Sequence, residues 1–133
     1  MKKLLFSISV LVLAGCMQID KVGQGYLIVE NKSSVPIFVV FEVVVGENGT
    51  SICIAPQTTD TVFAHNEFAY CFNLVHLTKF EIAACDNPEE IIYAQNPIDK
   101  TKWIIEEKFE KKGFCYYSSN TFVFTDELIE CEK

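Results

Sequence analysis

Cysteine and histidine are the residue types here that most readily suggest chemistry, and the chain has six cysteines and two histidines. A thiol enzyme needs a cysteine beside a base, and the spacing allows Cys71 to pair with His65 or His76. No cysteine or histidine pair has the short spacing usual for zinc ligands. The motifs of serine hydrolases, zinc proteases and P-loop enzymes are missing. We therefore predict no catalytic residue, metal or cofactor, with a small thiol enzyme or hydrolase as an alternative.

The N-terminus has the form of an export signal. Lys2 and Lys3 precede Leu4–Leu13, an apolar run of ten residues. A membrane-spanning helix needs about 20 residues, so this run is too short to span and fits a secretory signal peptide instead. A small-residue pair then leads directly into Cys16.

Cys16 and the residues before it resemble the lipobox of bacterial lipoprotein precursors. The resemblance implies that Cys16 receives diacylglycerol on its sulfur. It also implies that a dedicated peptidase recognises Leu13, Ala14 and Gly15 and cuts before the cysteine. The new amino group is then acylated, and two or more acyl chains hold a protein stably on a membrane.

This processing divides the chain into three parts. Residues 1–15 are the removed signal peptide, residues 16–24 a lipidated tether, and residues 25–133 a single domain. In this family an Asp directly after the cysteine is associated with retention in the inner membrane. Met17 occupies that position, so we expect the outer membrane, and we leave open which face carries the domain.

The net charge limits the classes of partner that we expect for this chain. The net charge of the precursor is −7 and the chain contains no arginine. Removing residues 1–15 takes away two lysines and no acid, so the mature chain carries about −9. Nucleic acids and anionic surfaces favour arginine or clustered lysine. We therefore expect no nucleic acid, and a protein or glycan partner in addition to the membrane.

Short β-type runs separated by turn residues fill the domain. Val35–Val45 is the clearest run, because its odd positions are all apolar and its even positions are mixed. We place it centrally in a sheet. Asn48-Gly49 predicts a tight turn into a returning strand, Thr50–Ala55. The pattern predicts a mainly β fold, an antiparallel β-sandwich or barrel-like domain with one or two short helices. Further predicted strands are Tyr26–Glu30, Thr61–His65, Lys79–Cys85, Gly113–Tyr117 and Thr121–Thr125.

Helix and turn signals complete this pattern. Asn87 and the proline after it predict the start of a short helix, Pro88–Gln95. Thr125-Asp126-Glu127 predicts the cap of a final helical turn. Ser118-Ser119-Asn120 is interpreted as the turn of a hairpin.

Two segments stay ambiguous between strand and helix. Phe68–Leu77 favours strand by alternation, and Trp103–Phe109 has no clear period. Trp103, Tyr116 and Tyr117 suggest a stacking platform for a sugar, although a core aromatic cluster is the favoured interpretation.

Five cysteines remain once Cys16 is lipidated, so an exported chain can form two disulfides and leave one thiol. Cys85–Cys131 is our first prediction, because both residues flank loop or terminal segments that a bond would hold. The sequence leaves the connectivity open.

Leu27–Asn31 together with Glu89–Ile92 resembles segments of small lipoproteins from Bacteroides-like bacteria, most of which have no assigned function. Asp60-Thr61-Val62 resembles the O-glycosylation signal of such bacteria, which implies modification of Thr61.

These observations favour a membrane-anchored exported lipoprotein that is not an enzyme and has a binding or envelope-assembly role. An inhibitor or immunity lipoprotein acting on a cationic enzyme such as a lysozyme is the main alternative, because the chain is small and acidic.

Overall fold

The computed structural model describes residues 22–44, 48–50, 53–68, 71–109 and 115–131. The predicted signal peptide, the predicted lipobox and residues 16–21 of the predicted tether lie outside this part. The strands are β1 (Val22–Asn31), β2 (Ile37–Val43), β3 (Asn48–Thr50), β4 (Thr58–Phe68), β5 (Leu77–Ala84), β6 (Ile91–Gln95), β7 (Trp103–Phe109) and β8 (Cys115–Phe124). The helices are the 3₁₀ turns η1 (Leu74–His76) and η2 (Lys100–Lys102) and the α-helix α1 (Asp126–Cys131).

The strands form two four-stranded sheets, sheet A in the order β4-β1-β8-β7 and sheet B in the order β3-β2-β5-β6. Every neighbouring pair is antiparallel except β1 and β8, which run parallel. The predicted mainly β fold is confirmed in its sandwich form, and the described strands do not join into one closed barrel.

Strand β2 supplies the central apolar face that its sequence predicts. Ile37, Val39, Phe41 and Val43 are buried and alternate with half-buried residues, because successive side chains of a strand point to opposite faces. The strand lies between β3 and β5, so its predicted central place is confirmed.

The hairpin from β2 to β3 differs from its prediction in two details. The predicted returning strand Thr50–Ala55 is wrong in its bounds, because β3 ends at Thr50 and Ile54 makes only an isolated bridge to Ile37. The position of the Asn-Gly pair differs as well. Asn48 pairs with Glu42 and Gly49 with Phe41, so the Asn-Gly pair lies within β3, and residues 45–47 lie outside the described part. A Cβ atom at Gly49 would collide with the ring of Phe41, so close packing requires the glycine.

Aromatic rings from both sheets form the layer between them. Phe80 of sheet B lies 4.9 Å from Trp103 and 5.1 Å from Phe122, both of sheet A, measured between ring centroids in edge-on geometry. Trp103 is buried, whereas Tyr116 is 42% exposed. The core interpretation of Trp103 is therefore confirmed, and the three-residue sugar platform is wrong.

The predicted helix Pro88–Gln95 is wrong. Residues 88–90 form a turn, in which the N–H of Glu90 donates to the carbonyl of Asn87 at 2.9 Å, and β6 follows. Two helical turns are only marginally stable without packing. As a strand, the segment pairs with β5 and buries Tyr93 and Gln95.

The predicted hairpin at residues 118–120 is also wrong, because β8 runs through them without a break. Ser118 and Asn120 are fully buried. Their backbone groups are satisfied by pairing with β1 on one side and β7 on the other. Gly113 and Phe114 of the first predicted arm lie outside the described residues.

The two ambiguous segments resolve differently. Trp103–Phe109 is strand β7. The strand preference for Phe68–Leu77 is wrong at residues 71–76, which lie in a loop and in η1. Asn73 accepts a hydrogen bond from the N–H of Val75 at 2.9 Å, and Nδ1 of His76 accepts one from the N–H of Asn73 at 3.1 Å. This reciprocal cap stabilises the turn.

Strand pairing holds the first element of the described domain, β1, and a cap at Thr125 begins the last one, α1. Strand β1 begins at Val22 and pairs there with β4, so the assignment of residues 22–24 to the tether is wrong. The helical turn predicted after Thr125 is confirmed as α1, with the carbonyl of Thr125 accepting from the N–H of Leu128 at 3.1 Å.

Candidate functional site

Two disulfides lie within the described residues, Cys53–Cys85 and Cys71–Cys115. The predicted Cys85–Cys131 bond is therefore wrong, because Cys85 is already bonded. The register explains the observed pair: Ile37 of β2 bridges to Ile54 on one side and pairs with Ala84 on the other. Their neighbours Cys53 and Cys85 consequently approach to 5.7 Å between Cα atoms.

The Cys–His hypothesis for Cys71 is wrong, since its sulfur is bonded to Cys115 and offers no thiolate. His76 serves in the cap of η1, and His65 stacks on Phe63 with 5.9 Å between ring centroids. Across the described ranges, no group of three or more histidine, cysteine or acidic residues is arranged to hold a metal ion.

Thr61 lies exposed in β4, opposite Ile28 of β1. The exposed position is compatible with modification, which stays a prediction from the Asp60-Thr61-Val62 motif.

One candidate site is an open groove of about 610 Å³ at the end of the sandwich where β1 finishes. We call it the distal groove. Its walls come from the β1–β2 loop, the β5–β6 region and α1, and most of its lining is apolar. The lining residues are Val35, Pro36, Ala84, Cys85, Asp86, Glu90, Ile92 and Ile129.

A buried asparagine holds the β1–β2 wall of the distal groove. Asn31 is fully buried, and its Nδ2 donates to the carbonyls of Val35 at 2.8 Å and Ile54 at 3.0 Å. Its Oδ1 accepts from the N–H of Ser33 at 3.0 Å and from the Ser33 hydroxyl at 2.6 Å. All four hydrogen-bonding positions of the amide are used, which fixes the loop.

Helix α1 is tied to the same loop. Oδ1 of Asp126 accepts from the N–H of Ser34 at 2.9 Å and from its hydroxyl at 2.8 Å. These two bonds, the backbone one first, hold the pKa of the Asp126 carboxyl below its usual 3.8. The contact places Ile129 over the groove while Leu128 and Ile129 pack against the core.

The charged residues that line the distal groove are all acidic. Asp86 and Glu90 line it, Glu89 is exposed in the turn between them, and no lysine is among the lining residues. An apolar groove edged by carboxylates suits an apolar group flanked by cations.

A second, smaller site lies between η1, η2 and the face of β7 and β8. We call it the asparagine cleft; its volume is about 140 Å³. Asn120 of β8 is among its lining residues and is fully buried. The lining residues are Asn73, Leu74, Val75, Lys100, Ile105, Glu107 and Asn120.

No protein-family model matches the chain, and a search of curated proteins finds no match either. Within the described part, no helix is both long enough and apolar enough to cross a membrane.

The sequence offered only partial signals for these two sites. Glu90 lies in the helix predicted at Pro88–Gln95, whereas in the structure it edges the distal groove. Asn120 was assigned to a turn. The even spacing of Ser118, Asn120 and Phe122, which share one face of β8, is the signal that could have placed it in a strand.

Proposed function

We propose that the chain is the precursor of an exported lipoprotein, anchored through lipid on Cys16, whose domain binds a protein partner and catalyses no reaction. The observation that carries the binding role is the distal groove, a large open apolar surface with an acidic edge. Grooves of this size and composition are typical of ligand and peptide sites.

Two features support export and anchoring. The Leu-Ala-Gly-Cys sequence follows a ten-residue apolar run. Two disulfides within the described residues suit an oxidising compartment outside the cytoplasm.

The position of the groove suits a partner that approaches from outside the membrane. The chain enters the domain at Val22, and β1 runs ten residues to Asn31, beside which the groove opens. At about 3.3 Å per residue, the groove lies about 30 Å from the point of entry. A lipid on Cys16 would therefore hold the opposite end of the sandwich nearest the bilayer.

The partner we propose is a protein segment that presents an apolar side chain between basic residues. The apolar side chain would contact Ile92 and Ile129, and the basic residues would face Asp86 and Glu90. Attraction between these charges mainly accelerates association and is weakened by salt. The same chemistry covers a cationic enzyme such as a lysozyme, which keeps the inhibitor function as the second candidate.

The anchor is tested by mass spectrometry of the mature protein from membranes of an expressing bacterium. We expect an N-terminal peptide that begins at Cys16 and carries diacylglycerol and an acyl chain. Cys16→Ser should leave the precursor uncut. A bare thiol at position 16 of the wild-type product would refute the anchor.

The binding role is tested by affinity capture from envelope extract, comparing the wild type with groove and control variants. Ile92→Asp should abolish capture of the partner, and Asp86→Asn with Glu90→Gln should weaken it most at low salt. Thr59→Asp on the exposed part of β4 is the matched control and should bind like the wild type. Capture of the same proteins by all variants would show that the groove is not the site. Purified basic hydrolases, assayed with and without the domain, separate the inhibitor function from simple binding.

A further inference from the structure

Four large apolar side chains are exposed at the end of the sandwich where β1 begins. Val44 is 57% exposed, Val75 61%, Phe109 54% and Tyr116 42%. Strands β1 and β8 run parallel and both begin at this end, whereas β4 and β7 finish there because they are antiparallel to them. We call these four side chains the proximal patch, since the chain enters the domain at the same end.

The loop at residues 71–76 connects two members of the proximal patch. Val75 lies in η1, which is part of this loop. The N–H of Val44, directly after β2, donates to the carbonyl of His76 at 2.8 Å. This bond places the end of β2 beside η1, so sheet B reaches the same end of the domain.

A disulfide connects the same loop to the other two members. Cys71 is bonded to Cys115, with 5.8 Å between their Cα atoms. Cys115 begins β8, pairs with Phe109 of β7 and directly precedes Tyr116. The proximal patch is therefore one region of connected backbone that includes both sheets.

The backbone segments that meet at this end contain no acidic residue and no lysine. Their side chains are apolar or uncharged, with one histidine, although 22% of the residues of the whole chain are charged. The segments are residues 22–26, 43–44, 71–77 and 115–119. The distal groove at the opposite end is edged by carboxylates. The two ends of the domain therefore differ in chemistry along the direction of β1.

Charged residues lie at the margins of this end. Glu67 and Glu107 are on β4 and β7, the two edge strands of sheet A, and Nζ of Lys108 lies 4.9 Å from the centroid of the Tyr117 ring. Charged side chains at a margin can keep their ends in water while the apolar centre is removed from it.

The length of chain before β1 limits how far the proximal patch lies from the proposed anchor. Residues 16–21 separate the lipid-bearing cysteine from Val22. At no more than about 3.6 Å per residue, this segment spans at most about 22 Å. A lipid on Cys16 would therefore keep the proximal patch close to the membrane surface.

We propose that the proximal patch inserts into the interfacial region of the lipid bilayer that holds Cys16. This inference rests on the anchoring proposed above and adds a noncovalent contact with the same membrane. The apolar side chains enter the boundary between headgroups and acyl chains, where apolar burial stabilises the contact. Tyr116 places its ring at this boundary and its hydroxyl among the headgroups, as interfacial tyrosines do.

The contact gives the anchored domain a fixed orientation. With the proximal patch in the bilayer, β1 points away from the membrane and the distal groove opens toward the partner. Large exposed apolar patches mark surfaces that bind a partner or a membrane. The short segment between Cys16 and Val22 makes the membrane the occupant that is always within reach of this patch.

The proposal is tested with tryptophan reporters in protein expressed from the full-length precursor and reconstituted into phosphatidylcholine vesicles. This lipid is chosen because an acidic chain is not attracted to anionic headgroups. Tyr116→Trp places a reporter in the proximal patch, and Val35→Trp places a matched control beside the distal groove. Trp103 is buried in both, and its emission is subtracted. We expect lipid brominated on its acyl chains to quench most of the emission of Tyr116→Trp and none of that of Val35→Trp.

Flotation of the vesicles, with the mass of the N-terminal peptide, separates this contact from the anchor. Lipidated protein that floats while Tyr116→Trp is not quenched would overturn the insertion and leave the anchor intact. Protein that stays in solution with a bare thiol at Cys16 would refute the anchor and the insertion together. If Tyr116→Trp is not quenched in vesicles but its emission shifts with protein concentration in detergent, a second copy of the chain covers the patch, and the proposal is wrong.

Serine variants give a second measurement in the Tyr116→Trp protein. Val75→Ser with Phe109→Ser should lower the ratio of inserted to free domain by about tenfold or more, because two apolar side chains no longer leave water on insertion. Ile91→Ser with Ile104→Ser is the matched control, because both isoleucines are exposed and lie near the starts of β6 and β7, away from the patch. Circular dichroism should show the same fold in both. An equal loss of quenching in the two double variants would refute the assignment of the patch.

Discussion

Replacing Asn31 with aspartate should destabilise the β1–β2 loop, and it changes only the side-chain amide to a carboxyl group. The two Nδ2 donors, which bond the carbonyls of Val35 at 2.8 Å and Ile54 at 3.0 Å, are lost. The acceptor bonded to the N–H and hydroxyl of Ser33 is kept. At neutral pH the new carboxylate oxygen would face two carbonyl oxygens in a site that is fully buried.

The expected cost follows from these contacts. Each lost hydrogen bond contributes about 1 kcal/mol, and a buried charge without a partner adds further destabilisation. We expect Asn31→Asp to lower the free energy of unfolding by about 3–5 kcal/mol at pH 7. A loss of this size is a large share of the typical stability of a domain, about 5–15 kcal/mol.

The loss should depend on pH with a definite sign. Burial beside two carbonyls raises the folded-state pKa of the new carboxyl above its unfolded value of about 3.9. A carboxyl group whose folded-state pKa is raised lowers the free energy of unfolding as the pH rises from its unfolded pKa to its folded pKa. The reason is that the unfolded state releases the proton more readily in this pH range. If the charge accounts for about 3 kcal/mol of the loss, the folded-state pKa of the new carboxyl is raised by about two units. The free energy of unfolding then falls between about pH 4 and pH 6.

Urea denaturation followed by circular dichroism, at pH 4 and pH 7, measures both effects. Asn87→Asp is the matched control, because Asn87 is exposed and its side chain makes no hydrogen bond among the described residues. Its stability should stay close to that of the wild type at both pH values. A destabilisation of Asn31→Asp below about 1 kcal/mol, or one that does not shrink at low pH, would refute the role assigned to Asn31.

Three further predictions concern other contacts. Gly25→Val should destabilise by about 1–3 kcal/mol in urea denaturation, because a Cβ atom would lie 2.7 Å from the backbone nitrogen of Phe72; an unchanged midpoint would contradict this close approach. Asp126→Asn should lower the free energy of unfolding at neutral pH and not near pH 2. The lowered folded-state pKa of Asp126 stabilises the fold above the pKa of the unfolded state, and this benefit is lost as the pH falls through the folded-state pKa. A parallel loss at both pH values would exclude the carboxylate contact with Ser34. Replacing both cysteines of the Cys71 disulfide with alanine should cost about 4 kcal/mol before strain is counted, because the bond spans 44 residues, and a thermal midpoint that stays unchanged would argue against the bond.

Features that depend on neighbouring residues were predictable from the sequence. The burial of Ile37, Val39 and Phe41 follows from alternation along one strand, and the α-helix after Thr125 follows from its cap and its acidic first turn. The apolar run and Cys16 likewise form a local pattern, and its interpretation as a signal for export and lipidation stays a prediction.

Features that depend on distant partners were not predictable. The segment Pro88–Gln95 carries helix-start signals that typically contribute about 1 kcal/mol each. Pairing with β5 and burial of Tyr93 against Phe122 and Phe124 outweigh those signals, so the segment is a strand. The polar run at Ser118–Asn120 is buried for a related reason, because flanking strands satisfy its backbone on both sides.

The sequence by itself determined a mainly β domain, its central strand, its final helix and an N-terminal pattern typical of lipid attachment. Only the tertiary structure decided that Cys53 pairs with Cys85, that one strand pair is parallel, and that Oδ1 of the buried Asn120 has no hydrogen-bond partner among the described residues. The reason is that side-chain alternation and capping are encoded within a few residues, whereas disulfide partners and unpaired buried atoms exist only after strands far apart in the chain have found their register.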